Sequence, residues 1–290
     1  MSLPDPPAGL PPGRILHVPR RGEFFLRDTG GDGPPVLLLH GWMFAADLNW
    51  RHAYGALRDA GYRVLAVDHR GHGRGLRTPE PFRLEDCAAD AAAVVRTLGI
   101  GPVSAVGYSM GGPIAQLMAR DHRDLVTGLV LCATSSDWQD VYLKLFWRTM
   151  GWLRLLLGLF PMSYWVWTLR SAGVGAGPER TWIAAELSRG SSIDIAEAGR
   201  ELSRYDGRPW LASLAGVPAA VVVTTRDRQV RARKQRKLAK LLGAPTFDVR
   251  ADHMAATTHP DAFNGALLRA LRVVAGARSA PRRGLFALAG

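Results

Sequence analysis

Gly107-Tyr108-Ser109-Met110-Gly111 follows the apolar run Val103-Ser104-Ala105-Val106 and precedes Gly112-Pro113-Ile114-Ala115-Gln116-Leu117-Met118-Ala119-Arg120. The first run reads as a strand and the last as a helix. A strand that turns sharply into a helix lifts the serine between them above the end of a sheet. Glycine suits both flanks, because a side chain there would collide with the tight turn.

Working outward, short apolar runs alternate with helical patterns. Phe24–Leu26 and Val36–Leu39 read as strands on either side of a Gly-Asp-Gly turn. A helix is expected from about Trp50 to Ala60, then a strand over Tyr62–Val67 closed by Asp68. Leu84–Leu98 has helical spacing and stops at Gly99, and Leu129–Cys132 is a further strand. Pro218 opens the β-branched run Ala219–Thr224, Thr246–Val249 is the last strand, and Asp261–Val274 is the closing helix. Continuous apolar strands alternating with helices imply a mostly parallel sheet covered on both faces. From about Trp138 to Tyr205 the rhythm breaks, with no clear strand, helical patterning and the tryptophans Trp138, Trp147, Trp152, Trp165, Trp167 and Trp182. The expected division is a tail over 1–14, an α/β core over 15–137 and 206–275, a helical cap inserted over 138–205, and a tail over 276–290.

At 290 residues and 47% hydrophobic content the chain supports one large domain with an insertion. Two cysteines give no disulfide framework, and no Cys/His cluster has zinc spacing, so a reducing, cytoplasmic setting is expected. Met1–Gly13 is proline-rich and lacks the apolar core of a signal peptide. The uncharged run Leu155–Thr168 is interrupted by Pro161 and falls short of the ~18–20 residues a spanning helix needs. The net charge is +12, and its densest basic stretch is Arg226–Lys240. No nucleic-acid motif accompanies that stretch, so it reads as the solvated face of a helix and no nucleic-acid partner is expected.

A serine hydroxyl is a poor nucleophile until a base takes its proton and an acid holds that base in the right tautomer. Asp227 follows the strand Ala219–Thr224 and His253 follows Thr246–Val249, so both lie at the sheet edge that carries Ser109. With His40-Gly41-Trp42 after a strand, Asp68-His69-Arg70-Gly71-His72-Gly73, and the order Ser109, Asp227, His253, the chain resembles the α/β-hydrolase superfamily over about Phe24 to Val274. The resemblance implies the α/β-hydrolase fold, with Ser109 as nucleophile, His253 as base and Asp227 as acid. It also implies an oxyanion hole from the backbone N–H groups of Trp42 and Met110. Relatives that open epoxides or remove halide carry aspartate at the elbow, where this chain has serine. One departure stands out: the acid loop Thr225-Arg226-Asp227-Arg228-Gln229-Val230 is basic, where many relatives place a second acidic residue.

Asp137, after the strand Leu129–Cys132, is the rival acid, with a helix N-cap as its structural alternative. His259 is the rival base, with a structural role before Pro260. His40 is expected to brace its own turn, and His69 and His72 to shape a loop. The expected function is hydrolysis of lipophilic carboxylic esters through an acyl-enzyme, with no cofactor and no metal. The alternatives are perhydrolysis, acyl transfer, amide or C–C cleavage by the same triad, or a non-catalytic binding or receptor role. A small-molecule ester is the expected partner. Peripheral membrane contact through the cap is the further expectation, from an apolar stripe of Tyr142, Leu145, Phe146, Trp152, Leu153 and Leu156 beside Lys144, Arg148, Arg154 and Arg170.

Overall fold

The strand Pro35–Leu39 (β3) shows how this sequence builds its sheet. Val36 and Leu38 face one buried layer, Leu37 and Leu39 the other, so both faces are covered and the strand reads as an unbroken apolar run. The computed structural model describes residues 6–140, 145–171 and 173–279. The remaining strands are β1 (Gly13–Val18), β2 (Gly22–Asp28), β4 (Arg63–Val67), β5 (Val103–Tyr108), β6 (Val126–Cys132), β7 (Ala219–Thr224) and β8 (Thr246–Val249). Their order is β1-β2-β4-β3-β5-β6-β7-β8. The first two are antiparallel to their neighbours, and β4 to β8 run parallel.

Helices α1 (Ala46–Trp50) and α2 (Tyr54–Asp59) cover one face together with the C-terminal helix Pro260–Ser279. Helices α3 (Leu84–Leu98) and α4 (Gly111–Asp121) cover the other. Between β6 and β7 come α5 (Met150–Leu159), α6 (Pro161–Ser171), α7 (Pro178–Ser188) and α8 (Ser192–Arg204). Helix α9 (Ala232–Leu242) links β7 to β8, and the short α10 (Ala255–Thr258) precedes α11 (Pro260–Ser279).

Four expectations change. Strand β1 begins at Gly13, inside the segment expected to be a tail, and pairs along the edge strand β2. The expected helix over Trp50–Ala60 is two short helices: Trp50 is locked between Tyr108 and Phe263, and the chain turns at Ala53, whose N–H donates to Trp50 O. The closing helix runs on to Ser279, because Ala275-Gly276-Ala277-Arg278 holds nothing stronger than one tolerated glycine. The rest of the expected tail, 280–290, lies outside the described residues, as do Tyr142 and Lys144. Finally, the expected stripe is not one face. In α5, Leu153 points inward with Met150 and Leu157, whereas Trp152 and Leu156 point outward, so this helix is apolar on both sides.

Candidate active site

Ser109 sits between β5 and α4 with φ at 51°, a left-handed conformation that costs a non-glycine residue roughly 1–2 kcal/mol. The surroundings hold it there. Ser109 N donates to Cys132 O at 3.0 Å, and Ser109 O accepts from Thr134 Oγ1 at 2.7 Å and Gly112 N at 2.9 Å. The flanking glycines are steric requirements. A Cβ on Gly107 would lie 2.2 Å from Gly111 O, and one on Gly111 would lie 2.1 Å from Leu39 O.

His253 reaches Ser109 from the loop after β8, with Nε2 3.0 Å from Ser109 Oγ. Its Nδ1 lies 2.7 Å from Asp227 Oδ2. With Nδ1–H donating to the carboxylate, Nε2 is left to accept the serine proton. Tyr108 OH donates to the main-chain oxygen of His253 at 2.7 Å and pins that loop to the strand carrying the serine. Asp227 is buried and fully engaged: Oδ1 accepts from the N–H groups of Gln229 and Val230, both at 2.8 Å, and Oδ2 also accepts from Thr224 Oγ1 at 2.9 Å.

Gln235, which sequence reasoning missed, braces this acid loop from α9. Its amide nitrogen donates to Val230 O at 2.7 Å and to Thr224 Oγ1 at 2.8 Å, and its oxygen accepts from Thr224 N at 3.0 Å. The available signal was a lone uncharged polar residue on the Leu238–Ala239 face of an otherwise basic helix. That basic run is otherwise largely a solvated helix face.

The turn after β3 is held the same way. Gly41 N donates to Asn49 Oδ1 at 2.8 Å, and Gly41 O accepts from Phe44 N at 3.3 Å. Asn49, a buried polar residue in the short helix α1, was also missed. Trp42 follows this turn beside Ser109, and its indole Nε1 donates to Ile195 O in α8 at 2.7 Å. Met110 begins the first turn of α4, where backbone N–H groups have no partner within the helix.

Three buried histidines lie under this turn. His40 Nδ1–H donates to Gly41 O at 2.8 Å, and its Nε2 accepts from His69 N at 3.0 Å. The His40 ring is 4.2 Å from that of His69 and 5.6 Å from that of His72. Burial drives all three towards the neutral form: His40 down to about 4, His72 down to about 3 and His69 well below its usual value. Among the described residues no group of three or more His, Cys, Asp or Glu side chains could hold a metal ion.

The rival groups are engaged elsewhere. Among the described residues Asp137 caps no helix. It forms a bridge with Asp206 and an ion pair with Lys234 at 3.1 Å. His259 is exposed, with Thr258 Oγ1 2.9 Å from its Nδ1.

The family model for the alpha/beta hydrolase fold matches residues 34–161, from β3 through the elbow into the insertion. The chain has the α/β-hydrolase fold. A non-heme haloperoxidase of Rhodococcus erythropolis is 41% identical over 110 residues, 38% of this chain and 39% of that protein. Epoxide hydrolase B of Mycobacterium tuberculosis is 38% identical over 121 residues, 40% of this chain and 34% of that protein. A bifunctional esterase/perhydrolase of Acinetobacter calcoaceticus is 36% identical over 111 residues, 38% of this chain and 40% of that protein. The chain thus spans well under half the length of these curated relatives. A solved hydrolase from Pseudomonas aeruginosa PA01 shares the fold over 89% of this chain and 98% of that one, with a TM-score of 0.76 and 24% identity.

In this α/β-hydrolase fold a pocket of about 630 Å³ opens above Ser109 and His253. Its far wall comes from the inserted helices and their approach, chiefly Trp138, Phe146, Trp147, Trp165 and Leu202. The volume suits a small organic molecule, and the walls are mostly aromatic and aliphatic.

Proposed function

We propose that this protein is a serine hydrolase of the α/β-hydrolase family that cleaves lipophilic carboxylic esters through an acyl-enzyme. The observation that carries the reading is the hydrogen-bonded chain Ser109–His253–Asp227, at 3.0 and 2.7 Å, on the floor of an apolar pocket. Ser109 Oγ attacks the ester carbonyl while His253 Nε2 takes its proton. Asp227 supports the imidazolium without itself being protonated. The N–H groups of Trp42 and Met110 donate to the developing oxyanion, an interaction commonly worth about 10²–10³-fold in rate per donor. His253 returns the proton to the departing alcohol. Water then attacks the acyl-enzyme with His253 again as base, releasing the acid and restoring Ser109. The insertion serves as a cap whose aromatic wall takes the apolar part of the ester.

A fluorophosphonate probe should label Ser109, with the adduct located by peptide mass spectrometry; an unlabelled Ser109 would defeat the assignment and favour a binding role. Across p-nitrophenyl esters, kcat/KM should rise from acetyl to octanoyl; a preference for acetyl would remove the lipophilic substrate.

A second reading is perhydrolysis, favoured by the similarity to an esterase/perhydrolase. Hydrogen peroxide would replace water as attacker on the acyl-enzyme, giving a peracid and free Ser109. Peracid formation from ester and peroxide, absent in Ser109→Ala, tests it.

A further inference from the structure

Helices α5 and α6 present an outward surface unlike the rest of the molecule. Their inner faces are occupied, α5 packing on α8 and α6 on α7. Their outer faces carry large apolar side chains open to solvent: Trp152 is 71% exposed, Trp167 66%, Leu159 61% and Phe160 58%. Singly exposed apolar residues are ordinary on any surface, but a cluster of this size marks an interaction site. A helix apolar on both sides is expected inside a core or in lipid, and α5 lies at the surface.

The charge pattern selects the partner. No Asp or Glu occurs between Asp140 and Glu179, whereas Arg148, Arg154 and Arg170 are exposed on the same two helices and their approach. Long arginine stems can lie along apolar surface with the guanidinium at its polar edge, and tryptophan favours the headgroup layer. Apolar residues that enter the acyl boundary, ringed by cations and free of carboxylates, match an anionic lipid surface. No helix among the described residues is long and apolar enough to cross a membrane, so the fit is to the interface. Phe146 links this surface to the site, since it is partly exposed beside α5 and also lines the pocket above Ser109.

We propose that the outer face of α5 and α6 docks on an anionic bilayer surface and sets the pocket mouth against the membrane, where lipophilic esters dissolve. The supply of substrate rests on the esterase reading; the docking itself does not, and its test needs no turnover.

The test is flotation of the full chain with vesicles of phosphatidylcholine alone or mixed with phosphatidylglycerol, at low and high salt. The protein should float with the mixed vesicles at low salt and less well at high salt. Trp152→Ser combined with Trp167→Ser should weaken partitioning roughly ten-fold. Neither residue lines the pocket, so hydrolysis of a soluble acetyl ester and the circular-dichroism melt should match wild type. Should that variant melt early, Arg148→Gln with Arg154→Gln and Arg170→Gln provides the reading, and it should lose the preference for phosphatidylglycerol. Ser109→Ala should float like wild type, which separates docking from catalysis. Absence of flotation at low salt would overturn the proposal. So would undiminished flotation of both surface variants. A stable dimer dispersed by the tryptophan substitutions would assign the face to a second copy of the chain instead.

Discussion

The indole of Trp42 donates to the main-chain carbonyl of Ile195 over 2.7 Å, joining the turn beside Ser109 to helix α8 of the insertion. The same ring packs edge-on against Trp147 at 5.3 Å and Phe146 at 5.9 Å. One side chain therefore ties the pocket wall to the turn beside Ser109.

Trp42→Phe keeps the aromatic packing and removes the donor, while Ile195 O keeps its place in the hydrogen-bond ladder of α8. The loss of one such hydrogen bond, at about 0.5–1.5 kcal/mol, should lower kcat/KM roughly five-fold, with most of the change in kcat. Steady-state kinetics on one ester checks it. An unchanged kcat would mean that the turn keeps its position without this tether.

Replacing Ser109 separates chemistry from strain. Ser109→Ala and Ser109→Gly should both reduce ester hydrolysis to the residue left by binding and the oxyanion donors. Glycine accepts φ near 51° freely, so Ser109→Gly should melt roughly 2 °C above Ser109→Ala. Equal melting temperatures would show that the turn relaxes around alanine.

The two candidate acids should respond differently. Asp227→Asn should cost about 10⁴ in kcat, because an amide facing His253 Nδ1 favours the wrong tautomer. Asp137→Asn should leave kcat within about two-fold, since its partner is Lys234. Gln235→Leu should lower kcat and broaden the pH–rate profile through a loosened Asp227, whereas a purely structural role would move only the melting temperature. The reverse ranking of Asp227 and Asp137 would exchange their roles.

The buried histidines should make the fold sensitive to mild acid. His40 and His72 are neutral in the folded chain down to about 4 and about 3, whereas in the unfolded chain histidine takes a proton near 6.5. Between those values the unfolded state binds more protons, so stability is full above pH 6.5 and falls as the pH drops towards 4. Each such histidine contributes a slope of up to about 1.4 kcal/mol per pH unit. His72→Gln should lower the slope by that amount in urea titrations across this window, whatever its effect on absolute stability. An unchanged slope would place a proton on His72 in the native state.

The parts of the fold legible in the sequence are those where local pattern and tertiary setting agree. Strands β7 and β8 and helix α3 have the limits their residues announce, because each is bounded by Pro, Gly or a charge. Strand β1 escaped notice because only Val18 is buried within it, so no apolar run marks it. The fate of Asp137 depends on Lys234, 97 residues away, and no local spacing reveals such a partner. Gln235 and Asn49 hold the two loops around the serine and histidine, but their importance lies in which backbone atoms they meet, and only the assembled fold supplies that. The outward face of α5 was legible as apolar residues but not as a direction, since periodicity cannot say which of two apolar sides meets the core.

The contacts at Gly107 and Gly111 set the height of Ser109 by main chain against main chain, with Leu39 O and Gly111 O as the gauges. Side chains of the two apolar layers take little part in that measurement. Tyr108 apart, whose hydroxyl holds the His253 loop, those layers can therefore drift through many volume-conserving exchanges while the serine keeps its place, so directed evolution of this scaffold for heat tolerance or new pocket walls can spend its mutations there. Two positions admit no such latitude: any residue larger than glycine at 107 or 111 displaces the elbow itself.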